Sequence, residues 1–293
     1  MSATLHPDIL DVLENRRRWC VVCADNADVL PTLPDKSVDH VITDPPYSEH
    51  VHGKSRAGSR KGIDRAGNGK LVRASFSRAA EFGFASITGE TMRACAEAFA
   101  FCARRWVLVF SDVELASEWR GVLTSRGLDH CRTGAWLKIG ATPQFSGDRP
   151  AAGFEAITIA HRKGRKRWNG GGKHGVWSCP IELNRGGKSD RLHTTQKPLD
   201  LMTALLGDFT DPDDVVLDCF AGSGTTGVAA LRLGRRAILI ERDPTYAAVA
   251  RERMEAEERG STLRASRAGQ LALLDVESRD ELPASTAGEG ASE

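Results

Sequence analysis

The sequence predicts an α/β protein built on a doubly wound, mostly parallel sheet. Three observations carry this. Short apolar runs rich in β-branched residues recur along the chain: Trp19–Cys23, Val38–Thr43, Trp106–Phe110, Val215–Cys219 and Ala237–Ile240. Uninterrupted runs of this length fit strands buried on both faces of a parallel sheet. Segments of helical period separate them, with short turns marked by Gly127 and Gly234, and such alternation argues for strand–helix–strand units. Finally, Gly222, Gly224 and Gly227 form a G-x-G-x-x-G between a strand and a helix, and Glu241 follows Gly222 by 19 residues at the end of the next strand. That is the unit in which a backbone closely approaches a nucleotide-like ligand and an acid accepts from ribose hydroxyls.

The totals set bounds. A chain of 293 residues, 41% hydrophobic and 27% charged, suits one large or two small domains with a real core. No apolar run approaches the ~20 residues of a membrane span, and Met-Ser-Ala-Thr-Leu-His-Pro-Asp at the start carries no secretory pattern, so a cytoplasmic protein is expected. Net charge is +1, but the distribution is uneven. Ser48–Arg78 holds eight Lys/Arg and two acids, His161–Arg191 nine and two, and Leu271–Glu293 one Arg and six acids. Basic segments of this kind suit a phosphate backbone or a solvated face. The seven cysteines are scattered. Cys20 and Cys23 form a C-x-x-C inside a strand, without a second pair at zinc spacing, so buried free thiols and no metal are expected.

In order, His6–Arg18 reads as a polar helix and Trp19–Cys23 as the first strand. Asp25 either caps the short helix Ala27–Leu30 or points at a ligand from the strand end. Val38–Thr43 runs into Asp44-Pro45-Pro46-Tyr47, a strand feeding a turn stiffened by two prolines. From Ser48 to about Ser75 the chain is glycine-rich and aperiodic, a long loop of the sort that contacts substrate. Thr88–Arg104 is helical, Trp106–Phe110 a strand, and Asp112 caps the helix Val113–Ser125. His130–Lys138 and Phe154–Ala160 are further strands. Gly140–Gly153 and His161–Arg191 show no period and read as inserted, with Trp168 and Trp177 as anchors. Pro198 opens a helix with Leu199, Met202, Leu205 and Leu206 on one face. After the glycine turn a helix runs to Leu233, and Asp243-Pro244 starts the last one, to about Glu258. Beyond Gly260 the composition drifts towards disorder.

The glycine unit suits NAD or S-adenosylmethionine, and the first half of the chain decides between them. A hydride-transfer enzyme has no use for Asp-Pro-Pro-Tyr at a strand end. An enzyme that methylates an exocyclic amine does, because such a nitrogen is conjugated to its ring and is a poor nucleophile. A carboxylate and a main-chain carbonyl that accept its N–H bonds free the lone pair, and an aromatic ring stacks on a flipped-out base.

On three motifs in this order, Asp44-Pro45-Pro46-Tyr47, Thr195-Gln196-Lys197-Pro198 and Phe220-Ala221-Gly222-Ser223-Gly224-Thr225-Thr226, the chain resembles the β class of N6-adenine/N4-cytosine site-specific DNA methyltransferases. Fainter matches are Asp25, Glu155 and Glu241. The resemblance covers about Cys20–Met254 and implies a Rossmann-like class I methyltransferase fold with an inserted target-recognition region. It implies that Asp44 and Pro45 hold the target amino group, that Pro46 belongs to the same catalytic motif and that Tyr47 stacks on the base. Phe220, Gly222, Ser223, Gly224 and Thr225 would wrap S-adenosyl-L-methionine, supported by Thr195, Gln196, Lys197 and Asp218. Glu241 would take the ribose hydroxyls and Asp25 would lie near the adenine. Ala24, Thr194 and Cys219 depart from the family pattern without removing a chemical group that the reaction uses.

The expected organisation is a catalytic half over 1–139, a target-recognition insert over 140–191, a cofactor-binding half over 192–260 and a disordered acidic tail over 261–293. The expected reaction is methylation of adenine N6 in double-stranded DNA, with cytosine N4 as the alternative. RNA or protein methylation usually has the motifs in the other order, and a silent DNA-binding module would not keep both motifs intact. A homodimer and a bacterial, archaeal or phage source are expected from the resemblance. Gln270-Leu271-Ala272-Leu273-Leu274 resembles the short peptides that bind the bacterial replication sliding clamp.

Overall fold

A computed structural model describes residues 4–47, 62–65, 71–74, 86–141, 148–181 and 196–267. The elements are α1 (Pro7–Leu13), β1 (Trp19–Cys23), α2 (Asn26–Val29), β2 (His40–Thr43), β3 (Gly62–Arg65), β4 (Leu71–Ala74), α3 (Gly89–Cys102), β5 (Trp106–Ser111), α4 (Val113–Ser125), β6 (Leu128–Ile139), β7 (Phe154–Arg162), β8 (Val176–Pro180), α5 (Leu199–Phe209), β9 (Val215–Asp218), α6 (Thr225–Arg232), β10 (Arg236–Glu241), α7 (Pro244–Glu258) and α8 (Leu263–Arg267). Among the described residues no helix is long and apolar enough to cross a membrane.

Eight strands form one sheet in the order β1-β10-β9-β2-β5-β7-β6-β8. The first five run parallel. β7 lies antiparallel between β5 and β6, and β8 adds parallel to β6. The apolar runs predicted as strands are those of the parallel part, and their side chains are buried on both faces. One face packs against α1, α3 and α4 through Ile9, Val12, Phe99, Trp119 and Leu123. The other packs against α5, α6 and α7 through Leu205, Phe209, Val228, Ala250 and Met254.

From β9 the chain crosses to β10 on one side, and from β2 it crosses to β5 on the other. The strand order therefore reverses between β9 and β2. The crevice at the carboxyl ends of such a pair is where open α/β sheets hold ligands. The Asp44 turn follows β2 and the glycine turn follows β9, so both converge on that point.

The opposite, amino end of the sheet is closed by charge pairs. Arg105 meets Asp214 and Asp211 at 2.9 Å each, Arg18 meets Asp213 at 3.0 Å, and buried His40 meets Asp214 at 2.9 Å. Burial holds the His40 imidazole below its usual range.

Several sequence expectations change. The first helix is only Pro7–Leu13, and the helix after Gln196-Lys197 begins one residue past Pro198. The stretch Ser48–Ser75, expected as a loop, contains the antiparallel pair β3 and β4. Of 140–191, expected as an insert, Phe154–Arg162 and Val176–Pro180 are strands of the main sheet. β8 was missed because five residues, Val-Trp-Ser-Cys-Pro, beside a run of glycines show too little period to read. Trp168 and Trp177 do anchor this stretch, packing their rings on Phe209 of α5 at 4.8 and 6.0 Å. Four of its basic residues are paired near the sheet's amino end: Arg162 with Asp35, Lys166 with Asp129, Arg167 with Asp211, and Lys173 with Asp208 of α5. Past Gly260 the chain continues into α8 with Leu263 buried, and the remainder of the tail expected to be disordered, 268–293, lies outside the described residues. The two halves of the chain share the one sheet, β1 pairing with β10 and β2 with β9.

Candidate active site

β2 ends at Thr43, whose hydroxyl donates to Asp218 Oδ1 at the end of β9, 2.7 Å away. Asp218 is the brace of the crevice. It also accepts from Thr226 Oγ1 at 2.6 Å and from the Phe220 amide at 3.1 Å, so one carboxylate joins both strand ends to the glycine turn. Burial pushes its carboxyl up to about 6, against those three hydrogen bonds. The resemblance placed Asp218 in support of the cofactor. Its two oxygens are taken up by the protein.

Asp44 comes next. Its Oδ2 lies 2.5 Å from Lys197 Nζ. Its Oδ1 is out of contact with water and has no hydrogen-bond partner among the described residues. Such an acceptor is costly unless something donates to it. The Lys197 ammonium is further held by Glu155 Oε2 at 3.1 Å and by the Tyr47 hydroxyl at 3.1 Å. It sits over the rings of Phe110, Tyr47 and Trp136 at 5.1, 5.3 and 5.9 Å, an arrangement that favours a cation. The Tyr47 hydroxyl donates to Glu155 Oε2 at 2.6 Å, which fixes its ring. Lys138 of β6 pairs with the other Glu155 oxygen at 2.6 Å.

The charge states follow from these contacts. Burial raises the Asp44 carboxyl above the usual range, against the pull of Lys197. Burial also acts on Glu155, but the Lys197 and Lys138 ammoniums outweigh it and hold that carboxyl below its usual range. Burial disfavours the Lys197 charge, yet Asp44 and Glu155 more than offset it. Burial pushes the Tyr47 phenol well up. The pocket thus holds a fixed cation, a fixed anion and, in Asp44, the more basic carboxylate.

The glycine turn lies alongside. Gly222 and Gly224 have φ of +52° and +80°, a backbone that side chains rarely adopt. A Cβ on Gly222 would meet nothing within 4 Å, whereas one on Gly227 would run into Leu239 Cδ1 at 2.6 Å and Met254 Sδ at 2.7 Å. The first glycine therefore faces open space, and the third lets α6 press against β10 and α7. Ser223 donates to Gln196 Oε1 at 3.1 Å. Arg253 of α7, buried, donates to Ser223 O at 2.8 Å and to Ser223 Oγ and Thr225 Oγ1 at 3.0 Å each. Glu241 accepts from the Gly222 amide and from the Asp243 amide, both at 2.8 Å. Asp25 caps α2 through the Ala27 amide at 2.9 Å. Asn26 reaches the Cys219 carbonyl at 3.3 Å.

The structure brings Asp44, Pro45, Tyr47, Gln196, Lys197, Asp218, Phe220 and the Gly222–Thr225 turn to one crevice. Lys197 serves Asp44 rather than the glycine turn, and Thr195 lies outside the described residues, as does Gln270–Leu274. Sequence reading missed Arg253 and Lys138, and gave Glu155 only a faint match. The one available signal was a carboxylate inside the otherwise apolar strand Phe154–Ala160. Among the described residues no group of three His, Cys, Asp or Glu is placed to hold a metal ion.

Comparison with known proteins shows what the chain is similar to. Residues 135–252 match the N6/N4 DNA methylase family model. It is similar to the Type II methyltransferase M.HinfI of Haemophilus influenzae, 26% identical over 260 residues that make up 80% of this chain and 67% of that protein. It is similar to the Type II methyltransferase M2.DpnII of Streptococcus pneumoniae, 28% identical over 261 residues, 83% of this chain and 92% of that protein. In fold it is similar to M1.HpyAVI in its complex with SAM, with a TM-score of 0.57 at 23% identity, covering 80% of this chain and 99% of the other.

Proposed function

We propose that this protein methylates the exocyclic amino group of a base in double-stranded DNA, adenine N6 at a specific sequence, with S-adenosyl-L-methionine as donor. The observation that carries the reading is Asp44 Oδ1, a buried oxygen without a hydrogen-bond partner among the described residues. It lies at the end of β2, next to a strand end that opens into a left-handed glycine turn. The family and its two relatives named as Type II methyltransferases support the class of reaction. The Asp at the head of the Asp-Pro-Pro-Tyr motif supports adenine over cytosine.

The residues fit the donor. The space over Gly222 that a Cβ would occupy is open. The turn Phe220–Thr225 would hold the methionine end, and Glu241 and Asp25 sit at adjoining strand ends towards the ribose and adenine. When bound, the donor supplies an electrophilic methyl group: the amino nitrogen bonds to its carbon and gives up a proton, while the sulfonium sulfur keeps the electron pair of the broken C–S bond.

Asp44 Oδ1 accepts an N–H of the target amine, which weakens conjugation with the ring and frees the lone pair. Tyr47, its hydroxyl tied to Glu155 and Lys197, offers a ring fixed for stacking on a base taken out of the duplex. Holding the amine in line contributes more than covalent catalysis would. Two copies acting together are expected from the resemblance, and sedimentation of the pure protein tests this.

Expression in a host free of DNA methylation, followed by single-molecule sequencing of its DNA, reports base, position and target sequence together. N6-methyladenine at one motif is the expected result. N4-methylcytosine would replace the base assignment, and unmodified DNA would overturn the reading.

A further inference from the structure

Lys138, Glu155, Lys197 and Asp44 form a chain of alternating charge, with successive contacts of 2.6, 3.1 and 2.5 Å. They come from β6, β7, the segment before α5 and the end of β2, so only the fold assembles them. We propose that Glu155 is a positioning residue for the reaction: it is the second counter-ion of Lys197, and it leaves Asp44 able to take up the proton that the amino nitrogen releases. This rests on the amino-methyltransferase reading above.

Lys197 is 8% exposed. A buried ammonium with a single carboxylate partner resists the loss of that partner's charge, because an uncompensated buried charge is costly. With Asp44 as sole partner, protonating Asp44 would strand Lys197. Glu155 removes that obstacle. When Asp44 becomes neutral, Lys197 still faces Glu155 Oε2, and Glu155 stays ionised because Lys138 holds its other oxygen. The Tyr47 hydroxyl, which donates to Glu155 and accepts from Lys197, keeps the two groups in register. Among the described residues, the charged and titratable groups that face Asp44 are Lys197, Tyr47 and Glu155, with Asp218 from β9 behind them. Among them Glu155 raises the proton affinity of Asp44 by its negative charge, against Lys197 and the Tyr47 hydroxyl, which lower it.

The test uses the full-length protein with carboxyl-13C aspartate. The Asp44 signal, assigned with Asp44→Asn, is titrated by NMR in wild type, Glu155→Gln and Glu155→Asp. S-adenosylmethionine binding and single-turnover methyl transfer to target DNA are followed across the same pH range. Expected for Glu155→Gln is a lower Asp44 midpoint, an acid limb of the rate profile that moves down with it, cofactor affinity within about twofold, and transfer slowed about tenfold or more. Glu155→Asp keeps the charge and should return the midpoint towards wild type. It also serves should Glu155→Gln not fold. An unmoved Asp44 midpoint, an unchanged rate, or equal behaviour of the Asp and Gln variants would overturn the proposal. A wild-type protein that methylates no DNA, while the Asp44 midpoint still moves, would instead strike down the functional reading and with it this role.

Discussion

Lys197 and Asp44 are 153 residues apart in the chain, and their ammonium and carboxylate meet at 2.5 Å. The residue before Lys197 turns the other way: Gln196 accepts from Ser223 of the glycine turn. One dipeptide at the entrance to α5 thus ties the Asp44 turn to the glycine turn. An enzyme that must present an amine to a methyl donor needs those two loops held in fixed register.

Removing the carboxylate of Asp44 should abolish the reaction and spare the cofactor. Asp44→Ala takes away the side-chain acceptor proposed to engage the amine, so the loss falls on the transition state, at least about a hundredfold in rate. Lys197 keeps Glu155 as its partner, which protects the fold. Calorimetric titration with S-adenosylmethionine alongside a methylation assay checks both halves. Near wild-type methylation by the variant would rule the mechanism out.

The two outer glycines of the motif should respond differently. Gly227→Ala drives a Cβ into Leu239 and Met254 and should cost about 1–3 kcal/mol of stability, as overpacking does. Gly222→Ala meets no neighbour, so its stability cost is only that of a left-handed alanine, on the order of 1–2 kcal/mol. Its methyl group enters the space proposed for the cofactor, so affinity for S-adenosylmethionine should fall well beyond that of the Gly227 variant relative to its stability loss. Thermal melts with and without the cofactor separate the two effects.

Arg253 should tune the cofactor turn from behind. Arg253→Met removes three donations to Ser223 and Thr225, each a charge-assisted bond of about 1.5–3 kcal/mol in gross terms. The expected result is weaker S-adenosylmethionine binding with a smaller change in the rate at saturation. Arg253→Lys should rescue little, because one ammonium does not reproduce a planar fork that reaches three acceptors. A full rescue by lysine would show that charge alone matters here.

Asp218 sets a pH dependence with a definite sign. Its folded carboxyl titrates near about 6 against an ordinary 3.8, so the folded state binds the proton more tightly than the unfolded state. This site therefore stabilises the fold on acidification. The gain is complete below about 3.8 and is lost as pH rises through about 6, amounting to on the order of 3 kcal/mol. In Asp218→Asn that component disappears. Urea denaturation of both proteins from pH 7 to pH 4.5 should show wild type gaining on the variant as pH falls. A constant difference would remove the assignment.

DNA affinity should depend on some basic residues of 161–191 and not on others. Arg162, Lys166, Arg167 and Lys173 are already paired with carboxylates near the amino end of the sheet or on α5, away from the Asp44 crevice. Neutralising Lys166, Arg167 and Lys173 together should leave the salt dependence of DNA binding nearly unchanged. Neutralising Arg185, Lys188 and Arg191 should flatten it, by about 0.9 in slope for each phosphate that is no longer neutralised. The reverse pattern would put the DNA at the amino end of the sheet, beside the paired residues.

The sequence by itself determined the parallel core, the glycine turn and the Asp44 turn. Each is written in a short contiguous stretch: strands buried on both faces are continuous apolar runs, and a strand end that meets glycines or prolines has few backbone options. The order of its motifs also carries the resemblance to the N6/N4 DNA methyltransferases. Only the tertiary structure decided that β8 belongs to the sheet, that Arg162, Lys166, Arg167 and Lys173 pair with the molecule's own acids, and that Lys197 serves Asp44 while Asp218 braces the crevice. Glu155 and Arg253 entered the site the same way, from β7 and α7. The reason is physical. A side chain's partner depends on which strand ends and helix faces lie within a few ångströms, and local sequence fixes the element while the crossing order of the sheet fixes the neighbour.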